Sequence, residues 1–155
     1  MLIDTSEMLS METILKTYAN DVETIKLAKT ASTYLYSHIW CDKIEKQWFV
    51  ANWENLLAIF FFKITTNTKD VNEYVWLVVG DLPSICIDVE SAANEQEVVK
   101  AYVGIMEDWI KCVHNKGNIK KCYPINVPPT KGYADMLKVR MSLIKEHILE
   151  ETVSE

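Results

Sequence analysis

The run Leu56-Leu-Ala-Ile-Phe-Phe-Phe-Lys-Ile64 is apolar at every position but Lys63. In an extended chain, Leu56, Ala58, Phe60, Phe62 and Ile64 face one way and Leu57, Ile59 and Phe61 the other. A strand apolar on both faces has to be covered on both sides, so it belongs in the middle of a sheet. Tyr74 to Val79 repeats the signature after a polar stretch, Thr65 to Asn72, which predicts a hairpin loop. Gly80-Asp81-Leu82-Pro83 then turns the chain, and Ser84 to Val89 alternates through Ile85, Ile87 and Val89 as a half-buried or edge strand does. Trp48 to Trp53 offers a further short strand. Connections this short pair strands antiparallel, because parallel neighbours need long crossovers.

Helical periodicity flanks this β region on both sides. Asp4 and Glu7 have the spacing of a capping box, and Met8, Met11, Leu15, Tyr18, Val22 and Ile25 follow at steps of three and four. Asn20-Asp21 can break this stripe, with Asp21 capping a second helix that runs to about Tyr36. Ala31 to Trp40 is ambiguous, since its Thr, Tyr and Ile content also suits a strand. Beyond the strands, Ser91 is a candidate N-cap for a helix with the stripe Val98, Tyr102, Ile105, Met106, Trp109 and Val113. Lys116 and Gly117 close it. Asn118 to Pro129 holds three of the four prolines and reads as an ordered crossing loop. Thr130 opens a last helix with the stripe Tyr133 or Ala134, Leu137, Met141, Ile144 and Ile148, and Glu150 to Glu155 forms an acidic tail expected to fray. Helices, strands, then helices predict one α+β domain over residues 1–155. Its sheet is expected to be a three- or four-stranded antiparallel meander with N-terminal and C-terminal helices packed on it.

Composition excludes several functions. The 155 residues are 49% apolar and 25% charged, a globular balance, with a net charge of −6 and a pI near 5.1. Arg140 is the only Arg among sixteen basic residues, which speaks against nucleic-acid and phosphate recognition. The N-terminus carries Asp4 and Glu7 where a signal peptide needs basic residues, and the longest apolar run, Leu56 to Phe62, is far short of the roughly twenty residues of a membrane span. A cytoplasmic location with no membrane partner is expected. Cys41, Cys86, Cys112 and Cys122 include no CxxC and read as reduced thiols.

No catalytic grammar stands out. His38 with Cys41, and Cys112 with His114 and Cys122, show only part of a zinc pattern, so no metal or other cofactor is expected. GxSxG, P-loop and GxGxxG motifs are absent, leaving no catalytic residue to assign. Two candidate sites remain. Trp40, Trp48 and Trp53 interleave with Asp42, Glu45 and Glu54, either as a contact patch for a basic protein or as a loop pinned to the core by its aromatics. Asp81 lies in a strand-ending turn that needs no functional explanation. Alternatively, Asp81 could join Tyr123 or a nearby His in a pocket at the sheet end.

Three segments carry a resemblance: the strand and turn Val75 to Pro83, the helix Tyr102…Met106-x-x-Trp109, and the crossing Cys122-Tyr-Pro124-Ile-x-Val127. Together with the final amphipathic helix they resemble small uncharacterised bacterial α+β proteins with a strand-GDLP turn. The likeness covers roughly residues 48 to 148 and brings no catalytic residue with it. In size and acidity the chain is also similar to bacterial immunity proteins, which neutralise a toxin by tight binding. The expected function is therefore a non-enzymatic protein-binding module, an immunity-type inhibitor of a basic toxin. The alternative is a small-molecule-binding protein or enzyme with its pocket near Asp81. Self-association through the Met8 to Ile25 stripe would make a homo-oligomer.

Overall fold

The computed structural model describes residues 3–54 and 56–150. Five strands form one antiparallel sheet in sequence order, β1 (Leu9–Ser10), β2 (Cys41–Trp53), β3 (Leu57–Thr66), β4 (Tyr74–Val79) and β5 (Ile85–Asp88). The α+β class and the meander are as the sequence predicts, but the expected three or four strands become five. The additional strand is β1, two residues that pair Leu9 with Phe49 and Ser10 with Trp48. The short strand expected at Trp48 to Trp53 is the second half of the thirteen-residue β2.

β3 is central and buried on both faces. Ala58, Phe60, Phe62 and Ile64 join Val75, Leu77 and Val79 under α1 (Met11–Thr17) and α2 (Val22–Tyr36). Leu57, Ile59 and Phe61 join Trp76, Val78, Ile85 and Ile87 in the core of α3 (Glu95–His114) and α4 (Lys131–His147). Phe60, Phe61 and Phe62 are each sealed from solvent, and each such burial contributes roughly 1.5–3 kcal/mol before conformational entropy is subtracted. α4 packs chiefly against α3, through the predicted stripe Ala134, Leu137, Met141, Ile144 and Ile148.

Caps explain where the helices begin. Asp21 accepts from the Thr24 amide and Thr130 from the Tyr133 amide, both as the sequence suggests. Elsewhere the expected caps shift. Asp4 accepts from the Ser6 amide in a tight turn, and Ser10, not Asp4, opens α1. Asn94 rather than Ser91 caps α3. The Met8 to Ile25 stripe breaks into two helices around Asn20-Asp21, as the sequence allows, with α1 ending at Thr17 and α2 beginning at Val22. Met11 and Ile14 are buried, while Leu15, Tyr18 and Val22 stand exposed.

α3 ends at His114, and it is Lys116, not Gly117, that takes the left-handed conformation there (φ 52°). The following amide of Gly117 bonds back to the Cys112 carbonyl. The crossing loop includes a short 3-10 turn, Ile119–Lys121. Gly80 has a φ of 144°, and a Cβ there would sit 3.3 Å from the Leu57 Cα, so this turn requires glycine. Tyr102 Oη donates to the Pro83 carbonyl (2.9 Å) and Trp76 Nε1 to that of Ala92 (3.0 Å), fastening both ends of β5 to the rest of the molecule. Residues 151–155 of the expected acidic tail lie outside the described residues. Among those described, no helix is long and apolar enough to cross a membrane.

Candidate functional site

Where α2 ends, the chain turns through His38 and Trp40 into β2, beside the start of β4. β5, the last strand of the sheet, passes the same corner, and the crossing loop folds over it. Together they enclose a cleft of about 330 Å³. Its lining includes His38, Trp40, Asp70, Tyr74, Cys86, Asp88 and Tyr123.

The floor is a hydrogen-bonded chain that runs through His38, Cys86, Tyr123 and Tyr34. His38 Nδ1 lies 2.9 Å from the Tyr34 carbonyl and 3.2 Å from that of Leu35. Carbonyl oxygens only accept, so Nδ1 carries a proton and donates, capping the end of α2. In the neutral ring Nε2 is then an acceptor, and it faces Cys86 Sγ at 3.9 Å. Tyr34 and Trp40 hold the imidazole from two sides, with ring centroids 4.9 and 4.8 Å away.

Cys86 reaches this floor because β5 alternates. Ile85 and Ile87 point to the α3 side, and Cys86 points with Leu77 to the α2 side. Its amide donates to Tyr123 Oη (3.0 Å), which also contacts Tyr34 Oη at 3.4 Å. Burial pushes the Cys86 thiol up to about 12 and raises the Tyr34 and Tyr123 hydroxyls as well. At neutral pH these three groups therefore hold their protons. Acidic charge comes from the side chains of Asp70 and Asp88, and no Lys or Arg is among the lining residues.

The residues singled out from sequence fall in different places. Trp40 lies in the cleft, half-buried against His38. Asp42 is exposed and accepts from Asn67 Nδ2 at 2.9 Å, and exposed Glu45 accepts from Thr65 Oγ1 at 2.7 Å. Trp48 is 8% exposed and packs on Phe61, on the opposite face of the sheet from the cleft. Trp53 and exposed Glu54 lie at the far end of β2, roughly 40 Å along the strand from Cys41 at the usual rise per residue. The six residues are thus spread along β2 and the residues that flank it, and over both faces of the sheet.

Asp81 and Tyr123 do not meet. Asp81 is exposed at the exit of β4 and lines a second cleft of about 110 Å³ with Trp53 and Gly80, whereas Tyr123 lies beside the entry of β4. Two grooves of about 380 and 230 Å³ run beside Ile3 on the α3 face, and the polar side chains of the larger are Asp4, Glu7, Asn94 and Glu95. Among the described residues, no group of three or more His, Cys, Asp or Glu side chains is placed to hold a metal.

Sequence reasoning missed His38, Cys86 and Asp70 as neighbours of Trp40 and Tyr123. One signal was available: Cys86 is the inward residue on the second face of an alternating strand. Comparisons of the chain with protein-family models, curated proteins and solved structures find no match.

Proposed function

We propose that this protein is a non-enzymatic binding module whose cleft receives a basic segment of a protein partner, in the manner of an immunity-type inhibitor of a basic toxin. One observation carries the proposal: two aromatic residues, Trp40 and Tyr123, share a cleft with the carboxylates of Asp70 and Asp88 and with no Lys or Arg. A Lys or Arg side chain entering there finds π-faces and carboxylates together. A cation–π contact of this kind contributes about 0.5–2 kcal/mol according to how far it is desolvated. The net charge of −6 would steer a basic partner toward the surface at low salt.

The test uses wild-type and D70N/D88N chains as bait in lysate of the native host, at low and moderate salt. A stoichiometric basic protein held by the wild type, weakened by salt and lost from the double variant, supports the proposal. Equal retention by both baits, or no partner at all, refutes it.

A second reading, a small-molecule site, is favoured by volume. At about 330 Å³ the Tyr123 cleft falls within the range of small-ligand pockets, whereas the Asp81 cleft, at about 110 Å³, falls below it. A metabolite that raises the melting temperature of the wild type but not of a Trp40→Ala variant would favour this second reading.

A further inference from the structure

Cys86 and His38 form the one thiol–imidazole contact recorded among the described residues. The other cysteines have different surroundings. Cys41 is buried beside Asp42, and Cys122 lies against Cys112 and the Asp108 carbonyl; desolvation first, and then these neighbours, keep the proton on both sulfurs. His38 differs from a passive neighbour in one respect. Both carbonyl contacts are made by Nδ1, which leaves the Nε2 lone pair directed at sulfur, where a base would have to be.

We propose that Cys86 is a nucleophilic thiol with His38 as its base, and that it is modified by small neutral or cationic disulfides entering the cleft. In the reaction, Cys86 Sγ attacks one sulfur of the incoming disulfide while its proton passes to His38 Nε2. The S–S bond of the reagent breaks, and its electron pair leaves with the second sulfur. That thiolate takes the proton from His38. The protein thiol is oxidised to a mixed disulfide, and the departing half of the reagent is reduced to a thiol. Asp70 and Asp88 set the charge preference, repelling anionic reagents and attracting cationic ones.

Burial supports the need for a base. With the thiol at about 12, unassisted ionisation at pH 7 leaves roughly one thiolate in 10⁵, too few for useful attack. The proposal needs only an open cleft and no protein partner, so it stands or falls independently of the lysate experiment.

The test exposes the folded chain to cystamine, a cationic disulfide, and to 3,3′-dithiodipropionate, an anionic one, at pH 7. Intact mass gives the rates and peptide mapping gives the sites. Cys86 is expected to react before Cys112 and Cys122, and cystamine to exceed dithiodipropionate by at least about tenfold relative to free cysteine. His38→Asn retains a side-chain donor for the Tyr34 carbonyl but lacks Nε2, and should slow Cys86 by about 100-fold or more. Cys86→Ser should abolish the fast phase. First modification at Cys112 or Cys122, or a folded His38→Asn chain reacting at the wild-type rate, overturns the proposal. Should His38→Asn fail to fold, the D70N/D88N chain decides: loss of the cystamine preference supports the cleft's role, and an unchanged preference overturns it.

Discussion

Tyr123→Phe isolates a single oxygen that two parts of the fold share. The hydroxyl accepts from the Cys86 amide at 3.0 Å and touches Tyr34 Oη at 3.4 Å, so its removal leaves an amide on the outer edge of β5 without that partner. An amide deprived of its partner in a fully buried site costs about 1–3 kcal/mol. Because these groups are part-buried, water can recover some of that cost, and the expected loss is about 1–2 kcal/mol. For a chain of this length the loss corresponds to a fall of roughly 2–8 °C in melting temperature. Tyr34→Phe removes only the longer contact and leaves the Cys86 amide bonded, so it should cost less than about 0.5 kcal/mol. Urea unfolding followed by tryptophan fluorescence measures both, with an unchanged m-value showing that only native stability moved. If Tyr34→Phe is as costly as Tyr123→Phe, or Tyr123→Phe is neutral, then the hydroxyl does not secure β5 and the reasoning is wrong.

Three further outcomes are expected. Gly80→Ala should lower stability by about 1–3 kcal/mol in the same assay, since it combines a φ of 144° with a Cβ 3.3 Å from the Leu57 Cα; a neutral result would mean the turn relaxes freely. Phe61→Ala should cost about 3–5 kcal/mol by emptying a sealed site on the central strand between Trp48, Trp76 and Tyr74, and a loss below 1 kcal/mol would show that these neighbours collapse into the gap. Stability should fall as pH rises above about 9, because buried Cys86, Tyr34, Tyr102 and Tyr123 are held neutral in the folded chain while their unfolded counterparts ionise. The stabilisation from each group is complete below its unfolded value and is lost toward its folded one. For Cys86 that window runs from about 9 to about 12, so Cys86→Ala should flatten the fall there, and a slope identical to the wild type would count against a buried thiol.

Local signals made the centre of the sheet legible. β3 and β4 carry apolar residues on both faces, the polar stretch between them can only turn, and Asp21 and Thr130 sit where helix caps are needed. β2 was harder to recognise because its register slips between Cys41 and Lys43 and again between Ile44 and Lys46. Asp42 and Glu45 are the residues passed over. The positions covered by the fold thus recur every three residues, at Cys41, Ile44 and Gln47, instead of every two. A strand with that spacing looks in sequence like a polar connector, which is why its first half was not expected. Gln47 shows the packing this spacing allows, with Nε2 donating to the Ala28 carbonyl and Oε1 accepting from Ser32 of α2. Trp48 looked like a surface anchor for a related reason. Its inward direction depends on pairing with Phe61, which the surrounding polar residues do not reveal.

The cleft was illegible as a unit because it is assembled at a sheet edge from segments remote in sequence. Residues 38 and 40 come from one connection, 70 from another, 86 and 88 from the last strand and 123 from the crossing loop. Edge strands expose amides that can recruit other chains, and folds commonly cover them. Here the covering group is Tyr123, whose hydroxyl occupies the Cys86 amide while its ring forms part of the cleft wall. The same hydroxyl restrains Tyr34, whose carbonyl accepts from His38 Nδ1, so edge protection, helix capping and the orientation of Nε2 toward Cys86 are mechanically linked. A functional change at this corner should therefore register as a stability change, and the reverse. For that reason His38→Asn, which preserves the cap while deleting the acceptor, separates the two better than any larger truncation.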